Sequence, residues 1–281
     1  MPDQYLVTVV IPNHNYGRFL EKTIESVLVQ TYSDIEVIVV DNGSTDNSRS
    51  VLENFGDKIT TFFLENNGQA NARNFGIQNS AGKFIALLDA DDYWHPEKIA
   101  CQITLFNESS QFNFTGIAQF DNDSGEILRV IKPRFKGDCS SYFINHPEIA
   151  IIPGGESSAI FSRDLFDKVN GFNVELETAS GRDFYRKISK YTEIDFIEEP
   201  LAFQRMHSNS MSRNLTKLTS DTVKANRIMF KDPLWDLDTK TQKKILRKLE
   251  WSFFKTWLKK FAILDSIKSL IKLLKLTIKT N

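Results

Sequence analysis

The segment Asp89-Ala90-Asp91-Asp92 carries three carboxylates in four residues and directly follows the apolar run 84–88. In an extended chain, side chains two residues apart point to the same side, so Asp89 and Asp91 would face a common point. Carboxylate oxygens are ligands that Mg²⁺ and Mn²⁺ prefer in proteins, often together with phosphate oxygens. The spacing therefore predicts a metal site. Taken alone, such a cluster also fits a solvated turn or a helix N-cap ahead of Pro96.

The elements that must position this cluster alternate along the first 120 residues. Short apolar runs predict strands at 6–11, 35–40, 59–64 and 84–88. Apolar residues at three- and four-residue spacing predict helices at 19–30, 47–55, 70–80 and 97–107. This rhythm predicts a parallel sheet with helices on both faces. Because ligands of such sheets bind at the carboxyl ends of the strands, the polar segments 13–15, 41–46 and 89–92 are expected to meet there.

The pattern becomes less regular from residue 113 to residue 161, where a hairpin is expected around 122–125. Helices are expected at 163–169 and 182–190, and a strand at 193–197. From Thr216 to the end, the sequence predicts helix throughout.

The composition is that of an ordinary globular protein, with 41% apolar and 25% charged residues among 281. This length fits one catalytic domain with an appendage. No uninterrupted apolar stretch of about 18 residues and no secretory signal pattern occur, so we expect a cytoplasmic protein without a spanning helix. Cys101 and Cys139 have neither disulfide nor metal-site spacing, which suits a reducing compartment.

The C-terminal part of the chain has a different charge from the rest. Residues 243–281 hold eleven Lys or Arg against Glu250 and Asp265, whereas the whole chain has a formal charge of −1. One helical stripe in this segment is apolar, and the lysines lie on another face. Such a helix can lie on an anionic membrane surface, here at the inner face of the membrane, or can cover a sheet or a second subunit. The stripe consists of Ile263, Ile267, Leu270, Leu274 and Ile278.

Several ordered segments accompany the acidic cluster and resemble glycosyltransferase family 2 over about residues 7–212. They are Val9-Val10-Ile11-Pro12-Asn13-His14-Asn15, Val39-Val40-Asp41-Asn42-Gly43-Ser44-Thr45-Asp46, residues 68–77, 81–85 and 88–96, Gly171-Phe172 and Arg205-Met206-His207. The resemblance implies the α/β GT-A fold, a Rossmann-like mixed sheet flanked by helices, followed here by a C-terminal helical extension. Residues 1–213 would form the GT-A domain, with a nucleotide-binding half (1–110) and an acceptor-binding half (111–213), and 214–281 a basic amphipathic extension.

The resemblance also implies an activity. The chain would be an inverting enzyme that uses Mn²⁺ or Mg²⁺ to transfer a sugar from a nucleotide diphosphate to a hydroxyl of a glycan or lipid-linked acceptor. Bacterial surface polysaccharide synthesis is the expected setting. Asp91 would coordinate the metal on the diphosphate, Asp89 would contact ribose or metal-bound water, and Arg73 would face the nucleotide. His207 would complete the metal site, or would only form hydrogen bonds in its polar loop.

The matching segments place the remaining nucleotide contacts at Pro12, His14, Asn15, Asp41, Asn42 and Ala90. His14 stands where the family often has tyrosine, so the imidazole would stack on the base. Asn42, after Asp41, stands where the family commonly has the aspartate that accepts the uracil N3 proton. An amide oxygen can accept the same hydrogen bond, so UDP and dTDP donors are both expected.

The family usually carries an acidic pair at the start of the helix after Gly171-Phe172, and one of these carboxylates acts as the general base. A match without gaps puts Ser180-Gly181 there, whereas a shift of two residues puts Asp183 in that role. We take Asp183 as the expected base, with Glu175 and Glu177 as second choices. The alternative is that Asp183 caps its helix or pairs with Arg182 or Arg186.

Other classes of protein fit the sequence less well. Residues 155–159 lack the second glycine of a serine-hydrolase elbow, and no G-x-G-x-x-G follows the first strand as a dehydrogenase requires. Nucleic acid binding is not expected, because basic surface is confined to the tail. The closest alternative is a binding module that keeps the nucleotide-sugar site but has lost turnover, as Gly181 suggests.

Overall fold

The computed structural model describes residues 5–147, 151–207, 214–260 and Ile271. Its first part alternates strands and helices in the predicted order. The strands are β1 Val7–Asn13, β2 Ile35–Asn42, β3 Thr60–Leu64, β4 Phe84–Leu87 and the short β5 Tyr93–Trp94. The helices are α1 Gly17–Leu28, α2 Ser48–Glu53, α3 Gln69–Gln78 and α4 Lys98–Ile103.

The first four strands form the predicted parallel sheet, and their order in it is β3-β2-β1-β4. Every residue of β1 is buried, which is expected of a strand covered on both faces. Side chains alternate between the faces, so Val10 packs with α3 in one core and Val9 packs with α1 and α2 in the other. Gly76 of α3 lies so close to β1 that a Cβ there would be 2.5 Å from Val10 Cγ1.

The second part of the chain extends the same sheet. Its strands are β6 Ser110–Asp121, β7 Ile127–Ile131, β8 Ala159–Ser162 and β9 Glu193–Met206, and its helices are α5 Ser140–Asn145, α6 Arg163–Lys168 and α7 Ser180–Ile188. The order of the described strands is β3-β2-β1-β4-β8-β6-β9-β5. Strand β7 lies outside this order and pairs with the last part of β6, at Ile117–Phe120. Because β8 is antiparallel to β4, the sheet is mixed, as the GT-A resemblance implies.

Two local features differ from the prediction. Strand β9 continues nine residues beyond the predicted end at Ile197, because its pairing with β6 shifts register on either side of Gly116 and so accommodates Pro200. The six-residue helix α5 was not predicted, since so short a helix shows little periodicity. The predicted hairpin is present, with Asp121 and Glu126 joined by a backbone hydrogen bond of 2.9 Å.

The predicted C-terminal helices begin with α8 Leu215–Lys231 and α9 Thr239–Lys260. Helix α8 is bound into the domain, because Asp221 Oδ2 accepts hydrogen bonds of 2.7 Å from the backbone N–H groups of Thr178 and Ala179. Within the described ranges, no helix has the length and apolar character needed to cross a membrane. The predicted apolar stripe from Ile263 to Ile278 lies outside the described residues.

Candidate active site

A cleft of about 1770 Å³ opens at the carboxyl ends of β1, β2 and β4. Typical small-molecule sites occupy roughly 300–1,000 Å³, so this cleft has room for two substrates together. All three predicted polar segments contribute to its wall. The predicted residues in the wall are Pro12, His14, Asn15, Asn42, Arg73, Asp89, Ala90 and Asp91.

Asp41 does not reach the cleft surface but holds the end of β1 in place. It is buried, its Oδ2 accepts a hydrogen bond of 2.8 Å from Asn13 Nδ2, and its Oδ1 accepts one of 2.9 Å from the Ser44 backbone. Asn13 also donates to the Ser44 hydroxyl at 3.1 Å. Asp41 therefore joins the ends of β1 and β2 rather than presenting its carboxylate to a ligand.

His14 and Asn42 form the neighbouring part of the wall. His14 Nδ1 lies 2.9 Å from the Asn42 carbonyl oxygen, so Nδ1 must be the donor and Nε2 the acceptor. The amides of Asn15 and Asn66 lie 3.2 and 3.4 Å from Nε2, which fixes the plane of the ring. Asn42 Oδ1 accepts a hydrogen bond of 3.1 Å from the Asn67 backbone, and an amide oxygen can accept a second one.

Arg73 joins two carboxylates beneath the cleft. Its guanidinium is only 2% exposed and donates to Asp89 Oδ1 at 3.0 Å and to Glu156 Oε1 at 2.8 Å. Gln69 donates to the same Asp89 oxygen at 3.1 Å. Arg73 thus orients Asp89 from behind, and its partner Glu156 comes from a 3-10 turn at Gly155–Ser158.

Asp92 is the innermost acid of the cluster and stabilises the loop that carries it. Its Oδ2 accepts a hydrogen bond of 2.6 Å from the Ser157 hydroxyl, and its Oδ1 accepts one of 2.9 Å from the Arg205 backbone. The Thr23 hydroxyl lies 2.9 and 2.8 Å from the carbonyl oxygens of Ala90 and Asp92, between which its one proton is shared. The acidic loop is therefore held by α1, by β9 and by the 3-10 turn at once.

Asp91 and His207 form the pair that best fits a metal ion. His207 Nε2 lies 2.9 Å from Asp91 Oδ2, and the ring packs between Tyr16 and Phe19 at centroid distances of 5.7 and 5.3 Å. Both side chains can direct a ligand atom to one point between the loop and β9, and imidazole and carboxylate are both ligands for Mn²⁺.

The charges of the cluster are incompletely compensated by the protein. Burial raises the pKa of Asp89 to about 7, against the opposing effect of Arg73 and with further increases from Glu156 and Asp91. Burial also raises the pKa of Asp92 well above its usual range, and the charges of Asp91 and Asp89 add to this. A bound cation would relieve this repulsion, so the residues present fit a divalent metal.

The described residues do not form a complete metal site by themselves, since no group of three or more His, Cys, Asp and Glu among them has the required geometry. Mg²⁺ in proteins is commonly bound through one or two carboxylates together with substrate phosphates.

The predicted base Asp183 lies away from the cleft wall. Its side chain is 1% exposed, Oδ1 accepts a hydrogen bond of 2.6 Å from Arg186 and Oδ2 lies 2.9 Å from Lys187 Nζ. This is the alternative arrangement, an ion pair within helix α7. In this position the Asp183 carboxylate cannot reach an acceptor hydroxyl in the cleft, so the geometry does not support it as the base.

The second choices for the base are solvent-exposed. Glu177 borders the cleft but forms an ion pair with Lys217, and Glu175 lies 3.7 Å from Lys224. Residues that the sequence reasoning did not select are Glu156, Ser157 and Arg205. The sequence did contain a signal for them, because Arg205 belongs to the matched segment Arg205-Met206-His207 and residues 155–159 resemble the acceptor-pocket wall of glycosyltransferase family 2. That signal did not give any of the three residues a role of its own.

Comparisons with known proteins agree with this architecture. A protein of Rickettsia conorii described as an uncharacterized glycosyltransferase is 33% identical over 220 residues, which are 75% of this chain and 36% of that protein. A protein of Nostoc sp. described in the same way is 47% identical over 223 residues, 76% of this chain and 69% of that protein. The chain thus spans only about a third of the length of some relatives.

A functionally described relative covers less of the chain. The Escherichia coli UDP-Glc:alpha-D-GlcNAc-diphosphoundecaprenol beta-1,3-glucosyltransferase WfgD is 32% identical over 136 residues, 47% of this chain and 53% of that protein.

Solved structures share the fold at low sequence identity. S. aureus TarS 1–349 in complex with UDP-GlcNAc has a TM-score of 0.71 at 17% identity, over 96% of this chain and 79% of that fragment. The mannosyltransferase PcManGT from Pyrobaculum calidifontis, in complex with GDP-Man and Mn²⁺, has a TM-score of 0.65 at 16% identity, over 99% and 81% of the two chains. The family model described as Glycosyl transferase family 2 matches residues 8–237. With that match over most of its length, the chain belongs to glycosyltransferase family 2.

Proposed function

We propose that this chain is a metal-dependent inverting glycosyltransferase that takes a sugar from a UDP or dTDP donor and transfers it to a hydroxyl of a glycan or lipid-linked acceptor. The proposal rests mainly on one observation, the Asp91–His207 pair at 2.9 Å beside a cleft large enough for two substrates. A cation bound at this position would stabilise the negative charge that develops on the departing diphosphate.

The donor would lie along the ends of β1 and β2. His14 presents a ring whose plane is fixed by three polar neighbours, which suits stacking on a base, and Asn42 Oδ1 retains one lone pair for a base N–H group. A pyrimidine N3–H group fits this acceptor, and uracil and thymine both carry one. The complex of TarS with UDP-GlcNAc, a protein of the same fold, supports a uridine donor.

The metal would be held by Asp91 and His207, with Asp89 next to it, and when bound it would neutralise the diphosphate as it leaves. The protein side chains provide the remaining organisation. Arg73 fixes Asp89, and Asp92 fixes the loop through Ser157 and Arg205. Cation dependence is further supported by the Mn²⁺ complex of PcManGT.

The acceptor side of the cleft suits a molecule with both anionic and apolar parts. Among the described residues, the chain after residue 110 contributes six basic side chains to the wall against Glu156 and Glu177. The basic residues are Arg129, Lys132, Arg134, Arg182, Arg205 and Lys217, and apolar neighbours include Val130, Ile151, Ile152 and Leu218. A lipid-linked diphosphate has this combination, as the acceptor named for WfgD does. Bacterial surface polysaccharide synthesis is therefore the proposed setting.

The proposal predicts metal-dependent stabilisation by one class of nucleotide. In a thermal-shift panel of UDP-, dTDP- and GDP-sugars with and without Mn²⁺, uridine or thymidine donors with Mn²⁺ should raise the melting temperature most, because a ligand at 100 times its Kd adds about 2.7 kcal/mol of stability. Transfer should then be detected with a lipid-diphosphate acceptor. No metal-dependent shift with any nucleotide would contradict donor binding, whereas a shift without product would favour the catalytically impaired module.

We also propose that residues 243–281 attach the protein to the inner face of an anionic membrane. In the described part of this segment, Lys243, Lys244 and Arg247 lie on one surface with Trp251, a residue that is 59% exposed. Exposed aromatic and basic residues are typical of helices at a lipid interface.

Changing Lys243, Lys244 and Arg247 together to glutamine should weaken binding to anionic vesicles about a hundredfold, since each basic residue near such a surface contributes about 1 kcal/mol. Cosedimentation with vesicles containing phosphatidylserine measures this, and neutral vesicles provide the control. Equal retention of both proteins, or retention unaffected by salt, would contradict the attachment.

A further inference from the structure

Gly181 stands in the first turn of α7 at a point where any side chain would meet the carboxylate of Glu156 and require it to move. A Cβ at this position would lie 2.0 Å from Glu156 Oε1 and 2.8 Å from Glu156 Cδ. The backbone of Gly181 is helical and lies outside the left-handed region, so its conformation does not require glycine. Glycine inside a helix is less favourable than alanine, because its backbone loses more conformational freedom on folding. The need for glycine here comes from the Glu156 carboxylate, which occupies the space of a side chain at 181.

The Glu156 carboxylate is held firmly and is still accessible. Its side chain is 16% exposed and lines the cleft, and Oε1 accepts the hydrogen bond from Arg73 at 2.8 Å. In the described part of the chain, no hydrogen bond to Oε2 is present. The next residue, Ser157, contacts both the Asp89 backbone and Asp92, so Glu156 is anchored to the acidic loop.

The other acids of the described cleft wall are already engaged. Asp89 accepts from Arg73 and Gln69, Asp91 contacts His207, Asp92 accepts from Ser157 and Arg205, and Glu177 pairs with Lys217. Asp89 Oδ2 and Asp91 Oδ1 also have no hydrogen bond among the described residues, but both acids are assigned to the proposed metal site. Glu156 is therefore the remaining acid of the described wall whose free oxygen, Oε2, can accept a proton from a substrate hydroxyl.

We propose that Glu156 is the general base of the transfer, an inference that rests on the proposed function. The acceptor hydroxyl gives its proton to Glu156 Oε2 as its oxygen bonds to the anomeric carbon of the donor. The bond from that carbon to the diphosphate oxygen breaks, and the electron pair leaves with the nucleoside diphosphate. Arg73 keeps the carboxylate oriented, and the proton later passes to water. A positioned base of this kind contributes about 10²–10⁴-fold.

The substitution Glu156→Gln tests the role while preserving shape, because the amide oxygen can still accept from Arg73. We expect kcat to fall about 10²–10⁴-fold, with little change in the KM for the donor and in the metal-dependent thermal shift with the nucleotide. The matched control is Glu53→Gln, at an exposed residue paired with Arg49, which should keep full activity. Unchanged kcat in Glu156→Gln would overturn the assignment.

The competition between positions 156 and 181 gives a second test. Gly181→Asp alone should be destabilised by the clash with Glu156, whereas Gly181→Asp combined with Glu156→Ala returns a carboxylate to nearly the same place. That double variant should recover at least tenfold in kcat over Glu156→Ala, and Gly181→Asn with Glu156→Ala should not.

If both double variants behaved alike, or if Glu156→Gln weakened nucleotide binding as much as turnover, Glu156 would only position Arg73. A different result would contradict the proposed function itself: a wild-type protein that shows neither a metal-dependent nucleotide shift nor transfer. In that case the assignment of Glu156 as the base would also be wrong.

Discussion

Replacing Asp91 with asparagine is expected to reduce glycosyl transfer by at least about a hundredfold. In the wild-type protein, His207 Nε2 lies 2.9 Å from the Asp91 carboxylate. The asparagine amide keeps an oxygen near His207 but loses the negative charge that would hold a divalent cation. Such a cation contributes several kcal/mol of charge stabilisation in the transition state, and each 1.36 kcal/mol corresponds to a tenfold change in rate. Initial rates at saturating donor and acceptor, measured over a range of Mn²⁺ concentrations, test this expectation.

The matched control is Asp57→Asn, which changes an exposed aspartate in a short 3-10 turn far from the cleft. This variant should have wild-type rates. Should Asp91→Asn instead respond to Mn²⁺ as the wild type does, the cation would have to bind elsewhere, and the Asp91–His207 pair would lose its assigned role.

Replacing Arg73 with methionine is expected to lower the free energy of unfolding by about 3–5 kcal/mol, the usual cost of leaving a buried charge without its partner. Here two carboxylates lose their shared cation, because Arg73 donates to both Asp89 and Glu156 from a fully buried position. Urea unfolding at neutral pH measures the loss. The variant should recover stability as the pH falls, since burial raises the pKa of Asp89 to about 7 and its carboxyl therefore binds a proton more strongly in the folded protein than in the unfolded one.

Arg49→Met provides the comparison for Arg73→Met. Arg49 and Glu53 form an i,i+4 pair whose side chains are 71% and 64% exposed, and exposed pairs of this kind contribute at most about 1 kcal/mol. Equal losses of stability in the two variants would mean that the pocket around Arg73 relaxes or admits water, and that the buried ion pairs do not determine its stability.

The nucleotide-binding side of the fold was predictable because its signals are local. Strands β1 to β4 are buried apolar runs, and their observed ends lie within two residues of the predicted ones. Once the strands are parallel, their carboxyl ends must lie at one edge of the sheet. Residues from three distant segments, such as His14, Asn42 and Asp91, are therefore brought into one cleft by topology alone.

The acceptor side was harder to predict because it depends on which face of a helix a side chain occupies. An α-helix turns about 100° per residue, so a shift of two residues moves a side chain by about 200°. Gly181 faces the cleft, and Asp183 accordingly points to the other side of α7, into its ion pairs with Arg186 and Lys187. Glu156 comes from a separate turn, and only the three-dimensional packing brings its carboxylate to Gly181.

The hydrogen bonds from Thr178 and Ala179 to Asp221 have a consequence for how acceptor preference can diversify. Asp221 lies on α8, outside the cleft wall, and yet its carboxylate fixes the backbone immediately before Ser180 and Gly181. A small movement of α8 would shift the start of α7 and with it the floor beneath the acceptor. Under the proposed function, we therefore expect natural variation in this helix to alter acceptor use while the side chains at the ends of β1, β2 and β4 stay the same.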